Sequence, residues 1–265
     1  MKISFIGSGN VAWHMSQAFE DSGHAICEVY SRKLQNAKVL VKKLFDAKAV
    51  SDLDFTDSEA ELFVLAIKDD AIGEVLDQLI LPENAILVHT SGSKPMDVLE
   101  LWTEDNVDLN VKIGVFYPLM TFSKEKKLNF SQVPLCIEAD NDQTETILVG
   151  IAQKMSSIVY LVDSEERKIL HLAAVFSNNF VNHLLAITQD ILIDHNLEMR
   201  LLKPIIQETI SKALLAEDIN EVQTGPAQRG DQKIIKSQLQ LLRAKPEAEK
   251  IYRIMSESIF NHFNP

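Results

Sequence analysis

Only two cysteines, Cys27 and Cys136, occur in the 265 residues. Both lie in apolar, strand-like runs. Neither has a second cysteine or a histidine at metal-ligand spacing. The sequence therefore gives no sign of a disulfide framework or of a bound metal. Two buried thiols in a reducing cytoplasm are expected. Positive charge is scarce too: 26 Lys and Arg stand against 38 Asp and Glu, a formal net charge of −12. A surface that acidic repels phosphate backbones and anionic membranes, so neither nucleic acid nor a membrane is expected as partner. The first apolar run, Ile3-Ser4-Phe5-Ile6, is far too short for a signal peptide or a membrane span. Internal repeats, low-complexity tracts and Pro/Ser linkers are missing. What is present is ordinary for a globular chain. Hydrophobic residues make up 46%, enough for a sizeable core, and the length suits one large domain or two of usual size.

The first 160 residues alternate two patterns. Short apolar runs of strand length are Ile3–Ile6, Ala25–Tyr30, Leu62–Ile67, Ala85–His89, Lys112–Phe116, Leu135–Ala139 and Ser157–Val162. Segments with helical spacing lie between several of them, at Val11–Phe19, Ala71–Leu81 and Thr144–Met155. This alternation predicts an α/β domain with a largely parallel sheet covered on both faces. The pattern changes at Asp163-Ser164-Glu165-Glu166, a helix start with Glu three residues after a capping side chain. From there helical periodicity runs unbroken to about His195. At about 30 residues such a helix would be ~45 Å long and would form the spine of a second domain. Further helices are expected at Ile205–Ala216 behind Pro204, at Gln232–Arg243 behind Asp231, and after Pro246. No strand is expected beyond residue 163. The expected domains are 1–162 and an all-helical 163–265.

The strongest motif is Gly7-Ser8-Gly9-Asn10-Val11-Ala12, a G-x-G-x-x-A turn between a strand and a helix. Gly7 permits the tight turn and Gly9 lets the backbone approach a pyrophosphate. Ala12 lets helix and strand pack closely. Free N–H groups at the helix start then favour the anion. The tip of the second strand, Ser31-Arg32-Lys33, has no acid, and Glu28 lies inside the strand. Two cations and a hydroxyl suit a 2′-phosphate, so NADP is expected ahead of NAD. Ile67 and Ser91, at two further strand ends, are candidates for the nicotinamide side. Gly92-Ser93 with Pro95 also reads as an ordinary turn.

Hydride transfer needs a group that gives or takes a proton. Four regions offer one: His89; Tyr117 in Tyr117-Pro118-Leu119-Met120-Thr121; the polar stripe His171, Asn178 and Asn182, with Ser177, Asn179 and His183 nearby; and Thr224-Gly225-Pro226-Ala227-Gln228-Arg229-Gly230-Asp231. Arg229 suits an anionic substrate group, or else pairs with Asp231 and only fixes the turn. The amides of the long helix have two readings, ligand contact or helix–helix hydrogen bonds. His171, Asn178, Asn182 and Arg229 are the catalytic candidates. Tyr-x-x-x-Lys, the acid–base pair of short-chain dehydrogenases, is missing, because none of Tyr30, Tyr117, Tyr160 and Tyr252 has Lys four residues on. Two functions stay open: an NADP(H)-dependent oxidoreductase acting on a small, anionic carbonyl, imine or hydroxy substrate, and a non-catalytic NADP-binding sensor.

Taken together, these motifs resemble the Rossmann-like NADP oxidoreductases that carry a C-terminal domain of unknown function. The wider superfamily includes pyrroline-5-carboxylate reductase and the 6-phosphogluconate and 3-hydroxyacid dehydrogenases. The resemblance implies an N-terminal NADP-binding Rossmann domain. It also implies an all-α domain of the 6-phosphogluconate dehydrogenase C-terminal type, which often builds a homodimer. The chain departs from the wider superfamily in places. Hydroxyacid dehydrogenases carry Lys and then Asn on the long helix, where this chain has His171 and Asn178 at another spacing. Prephenate dehydrogenases have His-Pro where this chain has Tyr117-Pro118.

Overall fold

The first strand in the computed structural model, which describes residues 1–265, starts at Lys2. Eight strands form one sheet: β1 Lys2–Ile6, β2 Ala25–Tyr30, β3 Lys48–Val50, β4 Leu62–Leu65, β5 Ile86–His89, β6 Lys112–Pro118, β7 Leu135–Ala139 and β8 Val159–Leu161. Their order is β3-β2-β1-β4-β5-β6-β7-β8. All neighbours are parallel except β6 and β7. The strand order reverses between β1 and β4, and in such sheets ligands lie beyond the carboxyl ends of the strands at that point. The carboxyl ends of β1, β4, β5 and β6 share one edge, which brings Gly7, Ala66, Thr90 and Tyr117 to the same side of the sheet. Strand β3 escapes the sequence reading because it is only three residues long, Lys-Ala-Val, at the sheet's margin.

Both faces of the sheet are covered, which is why its strands are continuously apolar. Ile3, Phe5, Leu62, Val64 and Val88 face one way. They pack against α1 (Asn10–Asp21), α2 (Leu34–Val41) and α5 (Asp142–Met155) through Met15, Phe19, Leu40 and Leu148. The alternate residues Ile6, Phe63, Leu65, Leu87, Val115 and Tyr117 face α3 (Ile72–Leu76) and α4 (Asp97–Asp105) through Ile72, Leu76, Leu99 and Trp102. Helices α2 and α4 carry only a turn or two of pattern and were not evident from periodicity.

After β8 the chain turns helical. Helix α6 (Ser164–Ala174) starts with the expected capping box. The Asp163 carboxylate accepts the Glu166 N–H at 2.8 Å, and Glu166 accepts the Asp163 N–H at 3.1 Å. The helix does not run on as a uniform α-helix. Residues Val175–Phe180 form a π-helical segment before α7 (Val181–Asp194). A π segment holds one more residue per turn, so it shifts the phase of everything after it. The chain divides into two compact units at Asn179/Phe180, 17 residues beyond the change of pattern at Asp163. Helix α6 belongs to the first unit, where Leu170 packs against the sheet core. The second unit holds α7, α8 (Lys203–Leu215), α9 (Gln232–Leu241) and α10 (Pro246–Phe263). Pro204 opens α8 and Pro246 opens α10, while the Asp231 carboxylate caps α9. No helix is long and apolar enough to cross a membrane.

One buried cation ties α6 to the sheet. The Arg167 side chain is 0% exposed and its guanidinium pairs with Glu138 on β7. Nη2 also donates to the Lys94 carbonyl at 2.7 Å and to Ser164 Oγ at 3.1 Å. Ser164 in turn donates to the Glu138 carboxylate at 2.9 Å and accepts the Met96 N–H at 3.0 Å. Breaking a buried pair from one side strands the other charge, at a cost of about 3–5 kcal/mol. Arg167→Ala should lower the urea unfolding free energy of the first unit by about that amount. Glu138→Gln, which keeps an acceptor, should cost less. A loss below about 1 kcal/mol for Arg167→Ala would refute this account.

Candidate active site

The glycine turn follows β1 as expected. Gly7 has φ +126°, and a Cβ there would lie 2.2 Å from the Ala66 carbonyl oxygen, so no other residue fits. A Cβ on Gly9, by contrast, would meet nothing within 4 Å. The space over Gly9 is therefore free for a ligand rather than filled by protein. Gly7, Ser8 and Gly9 line a cleft of about 420 Å³ together with Ser31, Arg32, Lys33 and Ile67. Tyr30, Asn36 and Lys68 join them, three residues that sequence reasoning did not select. None of Arg32, Lys33 and Lys68 has a carboxylate partner. Glu28 is turned inward, accepting from the hydroxyls of Ser4 and Ser58, so no acid is offered at the tip of β2. Asn10 and Val11 are not in the cleft lining. The Asn10 amide donates to the Phe122 carbonyl at 2.9 Å, and Val11 packs against the core.

The loop after β5 is built by its own side chains. Ser91 Oγ accepts the N–H groups of Ser93 and Lys94, at 3.1 and 3.0 Å. His89 is fully buried and its Nδ1 accepts the Ser91 N–H at 3.2 Å. Burial above all, and then the nearby Arg167 cation, push its pKa down to about 4. His89 is thus a neutral acceptor that shapes the loop. Gly92 follows, pressed against two rings. A Cβ at residue 92 would fall 2.6 Å from Tyr117 Cζ and 2.7 Å from His171 Nδ1.

Those two rings are the centre of the arrangement. Tyr117, at the end of β6, and His171, on α6, are 54 residues apart, yet Tyr117 Oη and His171 Nδ1 lie 3.2 Å apart. His171 sits one helical turn beyond Arg167, on the same face of α6. Burial pushes the Tyr117 phenol up to about 12, so it stays protonated at neutral pH. A cavity of about 390 Å³ opens beside the pair. Leu119, Met120, Leu170 and Val175 give it an apolar wall, and Thr121, Ser177, Asn178 and Asn179 give it hydroxyls and amides. The π-helical segment supplies the last three of these. Helical spacing had grouped Asn178 with Asn182 instead. Asn182 is exposed at the start of α7, in the second unit, as is His183.

The Thr224–Asp231 loop is also in the second unit. Thr224, Pro226 and Ala227 line an apolar cavity of about 460 Å³ with Leu184, Ile187 and Ile259. Arg229 is exposed and forms no ion pair with Asp231, whose carboxylate accepts the Ile234 N–H.

Comparison with known proteins agrees with this geometry. Residues 2–92 match the family model for NADP oxidoreductases described as coenzyme F420-dependent, and residues 133–259 match the domain of unknown function DUF2520. No curated protein matches. A crystallised candidate NADP oxidoreductase from Bacteroides fragilis is 38% identical over 98% of both chains, with TM-score 0.89. The chain belongs to this NADP oxidoreductase family. NADP is the cofactor for which the family is named. More distant matches share the fold. A reductive aminase from Aspergillus terreus, in complex with NADPH and ethyl-5-oxohexanoate, is 12% identical, with TM-score 0.72 over 98% of this chain and 94% of its own. A 1-pyrroline-5-carboxylate reductase from Streptococcus pyogenes is also 12% identical, with TM-score 0.64 over 98% of both chains.

The depressed His89 pKa has a measurable consequence for this family member. The folded protein keeps His89 neutral, while the unfolded chain takes up a proton below about pH 6.5. Its contribution to stability is therefore full above that pH and shrinks as pH falls from about 6.5 to 4, by up to about 3 kcal/mol. His89→Asn retains an acceptor for Ser91 and cannot titrate. Unfolding curves from pH 7 to 4 should fall less steeply for this variant than for the parent protein. Parallel curves would mean that His89 is not the group responsible.

Proposed function

We propose that the chain is an NADP(H)-dependent oxidoreductase in which the Tyr117–His171 pair handles the proton. The observation that carries this reading is the 3.2 Å contact between the two side chains, beside a cavity and at the sheet edge that also carries the glycine turn. Gly7, Ser8 and Gly9 would hold the pyrophosphate, and Ser31, Arg32 and Lys33 the 2′-phosphate, with Ile67 against the ring side. The open space over Gly9 and the unpaired cations at the tip of β2 fit that cofactor. Bound NADP(H) supplies or accepts the hydride. The protein's part is orientation and proton transfer. With the protonated phenol donating to His171 Nδ1, the ring would carry its hydrogen on Nε2, which makes no hydrogen bond within the protein and is available to a substrate oxygen or nitrogen. As it leaves, the phenol proton would pass to Nδ1 and water would refill the phenol. Asn178 would orient that substrate. A proton-handling pair beside an open cavity argues against the non-catalytic sensor.

The cavity lining favours a small carbonyl, imine or hydroxy compound with an apolar body, since no fixed cation contributes to it. Arg229 and Asn182 remain candidates carried by the helical unit. Arg229 would serve an anionic substituent, because its guanidinium has no carboxylate partner. A homodimer is proposed as well. The second unit buries only Ala227, Ile235 and Leu242 among its apolar side chains, and leaves Leu197, Leu201, Ile205, Leu214 and Leu215 half or more exposed. A surface so apolar suits an interface with a second copy.

Purified protein should oxidise NADPH with at least one member of a panel of aldehydes, ketones and imines, followed at 340 nm. His171→Ala and Tyr117→Phe should each lower turnover about a hundredfold or more, with NADPH affinity unchanged. A panel with no turnover above the protein-free rate, or a fully active His171→Ala protein, would sink the reading. Light scattering should give twice the 29.8 kDa of one chain. A monomer at micromolar concentration would rule out the homodimer.

A further inference from the structure

The connection from β6 to β7 returns across α1 and grips the phosphate-binding turn. Three consecutive residues of this strap make three separate contacts. The Phe122 carbonyl accepts from the Asn10 amide at 2.9 Å, and the Ser123 carbonyl lies 2.9 Å from His14 Nε2. The Lys124 ammonium donates to the Ser8 carbonyl at 3.0 Å and lies 5.1 Å from the centre of the Trp13 ring. The His14 and Phe122 rings are also in contact, with centroids 5.5 Å apart.

Lys124 therefore does not behave as a free surface lysine, although it stands in the charged run Ser123-Lys124-Glu125-Lys126-Lys127. Its ammonium lies over the Trp13 ring and is fixed on the residue between Gly7 and Gly9. An ammonium has three donors, and the Ser8 carbonyl takes one. No carboxylate pairs with it. Glu125, the adjacent acid, is bonded to the Ser123 hydroxyl. The result is a positive charge with no ion-pair partner, which reaches the turn from the groove lined by Trp13, His14 and Glu125, behind the cleft over Gly9, at a turn whose free N–H groups already select an anion.

We propose that Lys124 is a cofactor-holding residue that places its charge beside the dinucleotide's pyrophosphate. This rests on the NADP(H) reading of the glycine turn. It differs from the role of Arg32 in a way that can be measured. A pyrophosphate contact serves NADPH and NADH alike, whereas a 2′-phosphate contact serves NADPH alone.

The test measures the Kd of both nucleotides by calorimetry for the parent protein, Lys124→Gln, Lys124→Arg and Arg32→Ala. Lys124→Gln keeps a donor for the Ser8 carbonyl but removes the charge. It should weaken both nucleotides by similar factors, about tenfold at low salt, with the gap closing as salt rises past the Debye limit. Lys124→Arg should restore most of the loss, and Arg32→Ala should weaken NADPH alone. In the unaltered protein, saturating NADPH should also protect Lys124 from acetylation, read by peptide mass spectrometry, while Lys126 and Lys127 stay reactive. This readout does not depend on any variant folding. Tight NADPH binding by the parent, with unchanged affinity in Lys124→Gln and no protection of Lys124, would overturn the Lys124 assignment and leave the cofactor reading intact. Failure of the parent to bind either nucleotide would overturn both.

Discussion

The buried Arg167–Glu138 pair is the constraint on which the arrangement of the first unit depends. A guanidinium fully removed from water is costly unless its donors are met. Here both terminal nitrogens are met, by three different pieces of chain, while Nε has no partner. Glu138 belongs to β7, Ser164 to the first turn of α6, and the Lys94 carbonyl to the loop after β5. The pair therefore fixes the register of α6 against the sheet, and that register puts His171 next to Tyr117. It also holds the loop two residues beyond Gly92, the position where any side chain would push the two rings apart. A hydrophobic residue at position 167 could fill the same space. It could not tie three elements to one point.

The sheet edge then divides its work by strand. The tips of β1 and β2 present glycine N–H groups and unpaired cations, which is chemistry for phosphates. The ends of β5 and β6 present a neutral histidine, a turn without side chain at Gly92, and a phenol whose proton is firmly held. These two groups lie on either side of β4, the strand next to the point where the order reverses. A single extended ligand with phosphates at one end and a reacting ring at the other matches that layout.

Much of this was legible in the sequence, and what was not had a common cause. Every strand of the sheet but β3, the Gly7–Ala12 turn, the Ser31-Arg32-Lys33 tip and the Asp163 cap are local patterns that need only near neighbours to be read. Arg167 is the opposite case. In Glu165-Glu166-Arg167-Lys168 it looks like one charge on a wetted first turn, and its partner is 29 residues away on a strand. Tyr117 and His171 were each visible as candidates, but no spacing rule brings residues 54 apart to 3.2 Å. The π-helical segment is hidden for another reason. Reading from His171 to Asn182 at 3.6 residues per turn assumes one uniform phase, whereas the inserted turn puts Asn178 and Asn179 at the cavity and leaves Asn182 on α7. Lys124 was concealed by its neighbours, since a run of lysines ordinarily marks a solvated surface.

The protonated phenol bears on how the proposed chemistry moves its proton. A phenol held at about 12 is a poor base near neutral pH and a persistent donor. Were its proton directed at Nδ1, as proposed, the ring would carry its hydrogen on Nε2, the nitrogen without a protein partner. The group facing a substrate would then be one that gives a proton, as reduction of a carbonyl or imine requires once hydride has reached the carbon. As that proton leaves Nε2, the phenol proton would pass to Nδ1 and water would refill the phenol, so the ring ends with one hydrogen as it began. The same relay run backwards serves oxidation. The arrangement therefore sets the path of the proton, and the high phenol pKa makes the phenol's own release the demanding step of that path.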